Sequence, residues 1–420
     1  MDLLNIEYEK YKLKNGLEVI LHKDDNLPLV AVNLWYRVGS ANEKQGGTGM
    51  AHLFEHMMFQ GSENIPKEMH FKYIQEAGGS LNGSTNFDRT NYYEKLPSNF
   101  LELALWLESD RMGFFLQALT QEKLDNQKSV VINERLERYD NQPYGLAWEI
   151  LLSNLYPLYH PYSWPTIGLI DDISRFTLDE VSAFFKRYYS PSNASVTVAG
   201  NFDEKFVKEN IEKYFSEIPD SIERVEINSS SVKLESEKLI TREENVQLER
   251  IYLAWSSEKA YGNDDAALDI LADILSGSKN SRLYKNLVYE KELAQDVSAY
   301  HYSGKLAGHF MIIATVKKEK SPDTIKDEIF KELGMIEKNG ITERELKKTK
   351  NNIRSGFIFS LQNLDAMANQ LNYYNYFLNE PNSFNYDLNR YNMVAIDKIK
   401  SVTNDYFSKP YIELRVKPKK

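Results

Sequence analysis

Gly46-Gly47-Thr48-Gly49-Met50-Ala51-His52-Leu53-Phe54-Glu55-His56-Met57 is the stretch from which the rest of the sequence is best read. It predicts a helix over 48–59, entered through glycines, with His52 and His56 one turn apart on a single face. Two imidazole nitrogens at that spacing can reach one Zn²⁺ at about 2.0–2.1 Å. Glu55 lies on the flank of the same face, placed to accept a proton from a water that zinc acidifies to a pKa of about 7. The neighbours Leu53, Phe54, Met57, Met58 and Phe59 mark a buried helix, where two histidines and a glutamate are costly unless they are used. A hydrolytic zinc site takes three protein ligands and keeps one position open. With no cysteine in the chain, the third ligand is His, Asp or Glu. The helical stretch 120–139 offers Glu122, Asp125, Glu134 and Glu137, and spacing does not choose among them.

Working outward, Asn15-Gly16 between Tyr11-Lys12-Leu13 and Leu17-Glu18-Val19-Ile20-Leu21 predicts a β-hairpin. Residues 29–38 and 80–96 predict strands, as does Ala194-Ser195-Val196-Thr197-Val198-Ala199-Gly200. Helices are expected over 67–77, stopped by Gly78-Gly79, and over 100–115, 120–139, 144–155 and 178–188. The serine-rich, charged text of 219–237 is the expected linker. After it the pattern restarts. Residues 248–255 match the strand 32–36, 265–278 lie over 49–62 without a gap, and 405–416 echo 188–198. The expectation is an α+β chain of two homologous mixed α/β domains, each an antiparallel-rich sheet with helices packed on it. The first spans 1–218 and carries the metal motif; the second spans 238–420. Leu268, Leu271 and Ala272 stand there in place of His52, Glu55 and His56, so the second copy has no metal site.

A length of 420 residues supports two cores better than one. The net charge of −10 and the pI near 5.4 exclude the basic footprint that nucleic acid demands, and argue against an anionic membrane surface. The absence of cysteine removes disulfides, thiolate ligands and a thiol nucleophile together. No signal peptide or long apolar span is visible. A cytoplasmic protein is the default expectation, and a periplasmic one follows if a signal has been removed.

Further motifs stand in order along the chain: Ala77-Gly78-Gly79-x-x-Asn82-Gly83-x-Thr85 with Asp88, Thr90 and Tyr92; Val130-Val131-Ile132-Asn133-Glu134-Arg135; Asn141-Gln142-Pro143-Tyr144-Gly145; His160-Pro161-Tyr162 with Ile167-Gly168; and Ser281-Arg282-Leu283-Tyr284. With the His-x-x-Glu-His stretch, this set resembles the pitrilysin, insulysin and mitochondrial processing peptidase family, in its short-subunit branch and over essentially the whole chain. The resemblance implies a zinc metalloendopeptidase acting on peptides or unfolded segments inside a closed chamber. It implies one Zn²⁺ on His52, His56 and Glu134, with Glu55 as general base. It also implies a substrate-binding edge strand over 81–87, with Asn82, Gly83 and Ser84 against the peptide and Asn82 nearest the scissile carbonyl. The family's second glutamate, seven residues before the ligand, is Gln127 here, which can hydrogen-bond but adds no charge. The family's carbonyl-binding arginine and tyrosine fall on Val288 and Gln295, neither of which can do that work. The resemblance therefore implies a heterodimer, with a homologous subunit supplying Arg and Tyr. The alternative is a non-catalytic scaffold subunit of the same fold. The remaining histidines, His22, His70, His160, His301 and His309, read as packing or surface residues.

Overall fold

The computed structural model describes residues 4, 6–220, 227 and 232–419. Most of the expected linker, 221–226 and 228–231, lies outside the described residues. Two compact units emerge. The first comprises Met1–Arg135, Trp164–Ile227 and Phe357–Asn385; the second comprises Leu136–Ser163, Asn228–Gly356 and Tyr386–Lys420.

The first unit is built on a six-stranded sheet of β1 (Glu9–Lys12), β2 (Glu18–Lys23), β3 (Leu29–Tyr36), β4 (Ser80–Thr85), β5 (Thr90–Pro97) and β6 (Ala194–Gly200), in the order β1-β2-β6-β3-β5-β4. The expected hairpin closes it at one end. Lys12 pairs with Glu18, and Gly16 takes a φ of 96°, which a side chain would resist. The second unit holds β7 (Lys238–Glu244), β8 (Arg250–Ser257), β9 (Ala294–Ser303), β10 (Gly308–Val316) and β11 (Ile412–Pro418), in the order β7-β11-β8-β10-β9. Apart from the extra β1, the two sheets correspond strand for strand. Each has one parallel pairing, β2 with β6 and β7 with β11, and is otherwise antiparallel. The expected duplicated α+β architecture is the observed one.

The helix Asp265–Ser276 of the second unit also fills the place predicted by the overlay. Leu268 and Leu271 are wholly buried there and Ala272 nearly so, among Trp255, Phe310 and Ile312. Positions that carry ligand-type side chains in one copy carry core in the other.

The units do not follow the linear cut expected between 218 and 238. Helix Leu364–Leu378, from the second repeat, belongs to the first unit, and helix Ala147–Leu155, from the first repeat, belongs to the second. The reason lies in what each helix buries. Ala368, Leu371 and Tyr374 are sealed in the first unit, and the polar residues between them match polar groups on that sheet. Asn372 Nδ2 donates to the Asn33 carbonyl at 2.9 Å and its Oδ1 accepts from Ser195 Oγ at 2.7 Å. Asn375 Nδ2 donates to Glu18 at 2.7 Å, and Lys95 pairs with Asp365 at 2.8 Å. In the second unit Trp148 lies edge-on to His309 at 4.9 Å, and the Tyr156 hydroxyl meets His309 Nδ1 at 3.0 Å. Buried amides and hydroxyls demand partners, so these helices stay where partners exist.

Candidate active site

Helix Met50–Met57 begins at Gly49, whose φ of 90° and close neighbours leave no room for a side chain; a Cβ would stand 2.8 Å from the Ile167 carbonyl oxygen. Its first-turn N–H groups are taken by carboxylates. Gly49 and Ala51 N–H each donate to Glu43 at 2.9 Å, and Thr48 donates through N–H and hydroxyl to Asp172 at 3.1 and 2.7 Å. Sequence reading missed both carboxylates; neither stands at a cap position of this helix. Its other end is held by Tyr92, whose hydroxyl donates to the Phe54 carbonyl at 3.2 Å.

The two histidines present Nε2 atoms toward one carboxylate. Glu134 Oε2 lies 3.1 Å from His56 and 3.8 Å from His52, and the three ligand atoms all fall within 4.8 Å of one another. Of the four carboxylates the spacing left open, the structure brings Glu134 to the histidines, while Glu122, Asp125 and Glu137 are exposed. Glu134 sits in the last turn of helix Gln121–Arg135, and Arg135 fixes that end by donating to the Gly168 carbonyl at 2.6 Å. Gln127, two turns earlier, is buried and donates to Asn126 at 3.0 Å.

Glu55 turns its carboxylate to β4, where Thr85 Oγ1 donates to it at 2.6 Å. Burial pushes its carboxyl above the usual range, while the Thr85 hydrogen bond, His56 and Arg89 pull the other way. Gly83 fits beside it; a Cβ there would stand 3.1 Å from Glu55 Cγ and 3.3 Å from Phe59 and Tyr92. The strand β4 is an edge, hydrogen-bonded to β5 alone in the sheet order. Its pleat puts Gly83 and Thr85 toward the metal-motif helix and sends Asn82 and Ser84 the other way. Asn82 is exposed, its Oδ1 accepting from Gly83 N–H at 2.9 Å. Ser84 donates to Asn91 at 2.7 Å and is gripped by Arg89 through its carbonyl and hydroxyl, each at 2.6 Å.

Behind the site lies a buried charge group. Arg111, fully buried, hydrogen-bonds Glu94 at 3.1 Å and also Glu108, and lies over the Tyr92 ring at 4.4 Å. Burial first, and then Glu108, hold the Glu94 carboxyl well above the usual range. The two carboxyls face one guanidinium. Arg111→Ala would strand the remaining charge, and an unfolding free energy lower by about 3–5 kcal/mol is expected in urea titration. A loss below ~1 kcal/mol would show the group to be unimportant to stability.

The other histidines are mostly packing residues. His160 stacks on Tyr156 at 4.7 Å, accepts from Tyr162 N–H at 3.1 Å, and burial lowers its pKa to about 4. Burial lowers His70 and His309 to about 3. His301, expected as a packing or surface residue, stands beside two carboxylates: its Nδ1 lies 2.9 Å from Asp269 and 3.7 Å from Asp265. Sequence spacing hid this group because strand and helix are far apart in the chain. Arg390 donates to Asp265 and the Tyr391 hydroxyl to Asp269, both at 2.7 Å, so the carboxylates are already served by a cation and a donor. Val288 packs against the core of the second unit and Gln295 is exposed at the start of β9.

Residues 18–161 match the family profile described as Insulinase (Peptidase family M16), and 175–353 match Peptidase M16 inactive domain. A zinc protease of Helicobacter pylori is 31% identical over 367 residues, which cover 86% of this chain and 82% of that protein. The chain belongs to the M16 peptidase family. The crystal structure of a protease from Helicobacter pylori has a TM-score of 0.91 at 29% identity, covering 98% of this chain and 100% of that one. A probable mitochondrial-processing peptidase subunit beta of Arabidopsis thaliana is 22% identical over 410 residues, covering 94% of this chain and 75% of that protein. No helix among the described residues is long and apolar enough to cross a membrane.

Proposed function

We propose that this M16 family member is the zinc-bearing subunit of a metalloendopeptidase, with His52, His56 and Glu134 holding one Zn²⁺ per chain and Glu55 as general base. The observation that carries the reading is the convergence of three ligand atoms from two helices within 4.8 Å, beside a further carboxylate turned to an edge strand. The donor set fits. Two imidazoles and a carboxylate are a hydrolytic zinc set, and donors bound tetrahedrally at ~2.05 Å stand about 3.3 Å apart. The separations of 3.1 and 3.8 Å bracket that value.

Zinc, when bound, supplies an acidified water and polarises a carbonyl. The chain's own residues do the rest. Glu55 takes the water proton during attack and returns it to the leaving nitrogen. The open edge of β4 would receive an extended peptide as an added strand, with the segment Asn82, Gly83 and Ser84 lining it. Gln127 would steady the ligand helix without adding charge. The Helicobacter relative named a zinc protease supports zinc and peptide hydrolysis here. The relative named as a processing-peptidase subunit supports work alongside another subunit.

Zinc content tests the ligand set. Wild-type protein purified without chelator should hold about one zinc, and Glu134→Ala, His52→Ala or His56→Ala less than about a tenth of that. Full occupancy in Glu134→Ala would name the wrong third ligand. A zinc-free wild type would instead favour the scaffold reading.

A further inference from the structure

We infer that Thr85 is a positioning residue that ties the general base to the strand expected to receive the substrate. The inference rests on Glu55 being that base. Three observations on β4 and the hairpin it forms with β5 carry it. First, Thr85 Oγ1 donates to Glu55 Oε2 at 2.6 Å, across from β4 to the helix that bears both histidines. Second, the nearby Thr90 hydroxyl, 3.3 Å from Thr85 Oγ1, donates to the Val38 carbonyl at 2.9 Å. Thr85 Oγ1 can accept from Thr90 while its own proton goes to Glu55. Third, the hairpin that follows sets the phase of the backbone. Asn86 N–H donates to the Arg89 carbonyl at 2.9 Å, making 86 and 89 a hydrogen-bonded pair.

Antiparallel pairs alternate between hydrogen-bonded and non-hydrogen-bonded. With Ser84 opposite Asn91 and Thr85 opposite Thr90, Ser84 bonds to β5 while Gly83 and Thr85 turn their N–H and C=O to the open edge. Those are the groups an added peptide strand would use. The two residues that offer main chain to a peptide therefore also lie on the face of β4 turned to Glu55. Gly83 leaves room beside Glu55 Cγ, and Thr85 supplies the hydrogen bond that orients the carboxylate. A carboxylate on freely rotating bonds would sample several orientations, and the hydroxyl selects one. Peptide docked on Thr85 and base held by Thr85 then share a single frame. In that frame a misplacement of about 1 Å can cost ~10²-fold in rate.

The test compares Thr85→Val, which keeps the shape and removes the hydroxyl, with Thr85→Ser, which keeps the hydroxyl. Zinc-loaded full-length proteins are assayed on a quenched fluorescent peptide, and wild type and Thr85→Val are crystallised with zinc. In Thr85→Val, kcat should fall about 10- to 10²-fold with KM within ~twofold, zinc content unchanged and the Glu55 carboxylate reoriented. Thr85→Ser should recover kcat to within ~threefold of wild type. Wild-type kcat in Thr85→Val, equal losses in both variants, or an unmoved Glu55 carboxylate would each overturn the inference. Absence of Glu55-dependent hydrolysis in wild type would overturn the proposed function instead. The crystallographic comparison would then still decide what Thr85 does.

Discussion

Glu55→Gln is expected to retain zinc and fold while losing peptide hydrolysis by ~10²–10⁴-fold, the usual contribution of a positioned general base. The substitution is close to isosteric. Thr85 Oγ1, which donates to the carboxylate at 2.6 Å, can donate equally to the amide oxygen of glutamine, so the helix and strand keep their relation. What disappears is the acceptor for the water proton. Burial around Glu55 raises its carboxyl above the usual range, which makes it a better proton acceptor once ionised. Zinc content, circular dichroism and peptide turnover measured together separate the outcomes. Turnover within a few-fold of wild type, with zinc retained, would remove Glu55 from the mechanism.

The part of this site written locally was legible in the sequence. His52, Glu55 and His56 share one short helix, and helical period alone puts them on adjoining faces. Strand text after Gly78-Gly79 was readable over 80–96, but the turn that divides it into β4, which carries Gly83, and β5 was not. Glu134 was not readable from spacing. Its helix carries several carboxylates, and which of them meets the histidines depends on how two helices pack. Motif resemblance supplied what geometry could not. The overlay of repeats recovered β8, β11 and the buried helix Asp265–Ser276, while β7, β9 and β10 were not read from it.

The same overlay missed the interleaving of the units. It compares stretches of chain with one another and has no means of saying which sheet a helix will cover. Asn372 and Asn375 held the signal: polar residues in a largely apolar helical stretch need polar partners, and those partners are Asn33, Ser195 and Glu18. Nothing local in 364–378 names them. The His301, Asp265 and Asp269 group was hidden for the same reason.

The second large effect concerns assembly. The isolated chain is expected to hydrolyse peptides weakly, and a homologous subunit bearing the missing arginine and tyrosine to raise the rate by ~10²–10³-fold, the typical worth of a preorganised oxyanion donor. Two positions motivate this. Val288 is apolar and packs against the core of the second unit, so it is a structural side chain with nothing to offer an oxyanion. Gln295 is exposed at the start of β9; it can donate a hydrogen bond but brings neither the charge of arginine nor the reach of tyrosine. A second copy of this chain would bring the same two residues, so self-association cannot repair the deficit. The partner expected is an M16-fold protein without the His-x-x-Glu-His motif. The measurement is turnover of a quenched fluorescent peptide by the pure chain, by Glu55→Gln, and by each after titration with such a partner. Turnover that rises with wild type and stays flat with Glu55→Gln locates the chemistry on this chain and its completion on the other. Robust turnover by the pure chain, abolished by Glu55→Gln, would show that carbonyl-binding groups lie elsewhere in its own sequence. The heterodimer would then fall while the zinc chemistry stood.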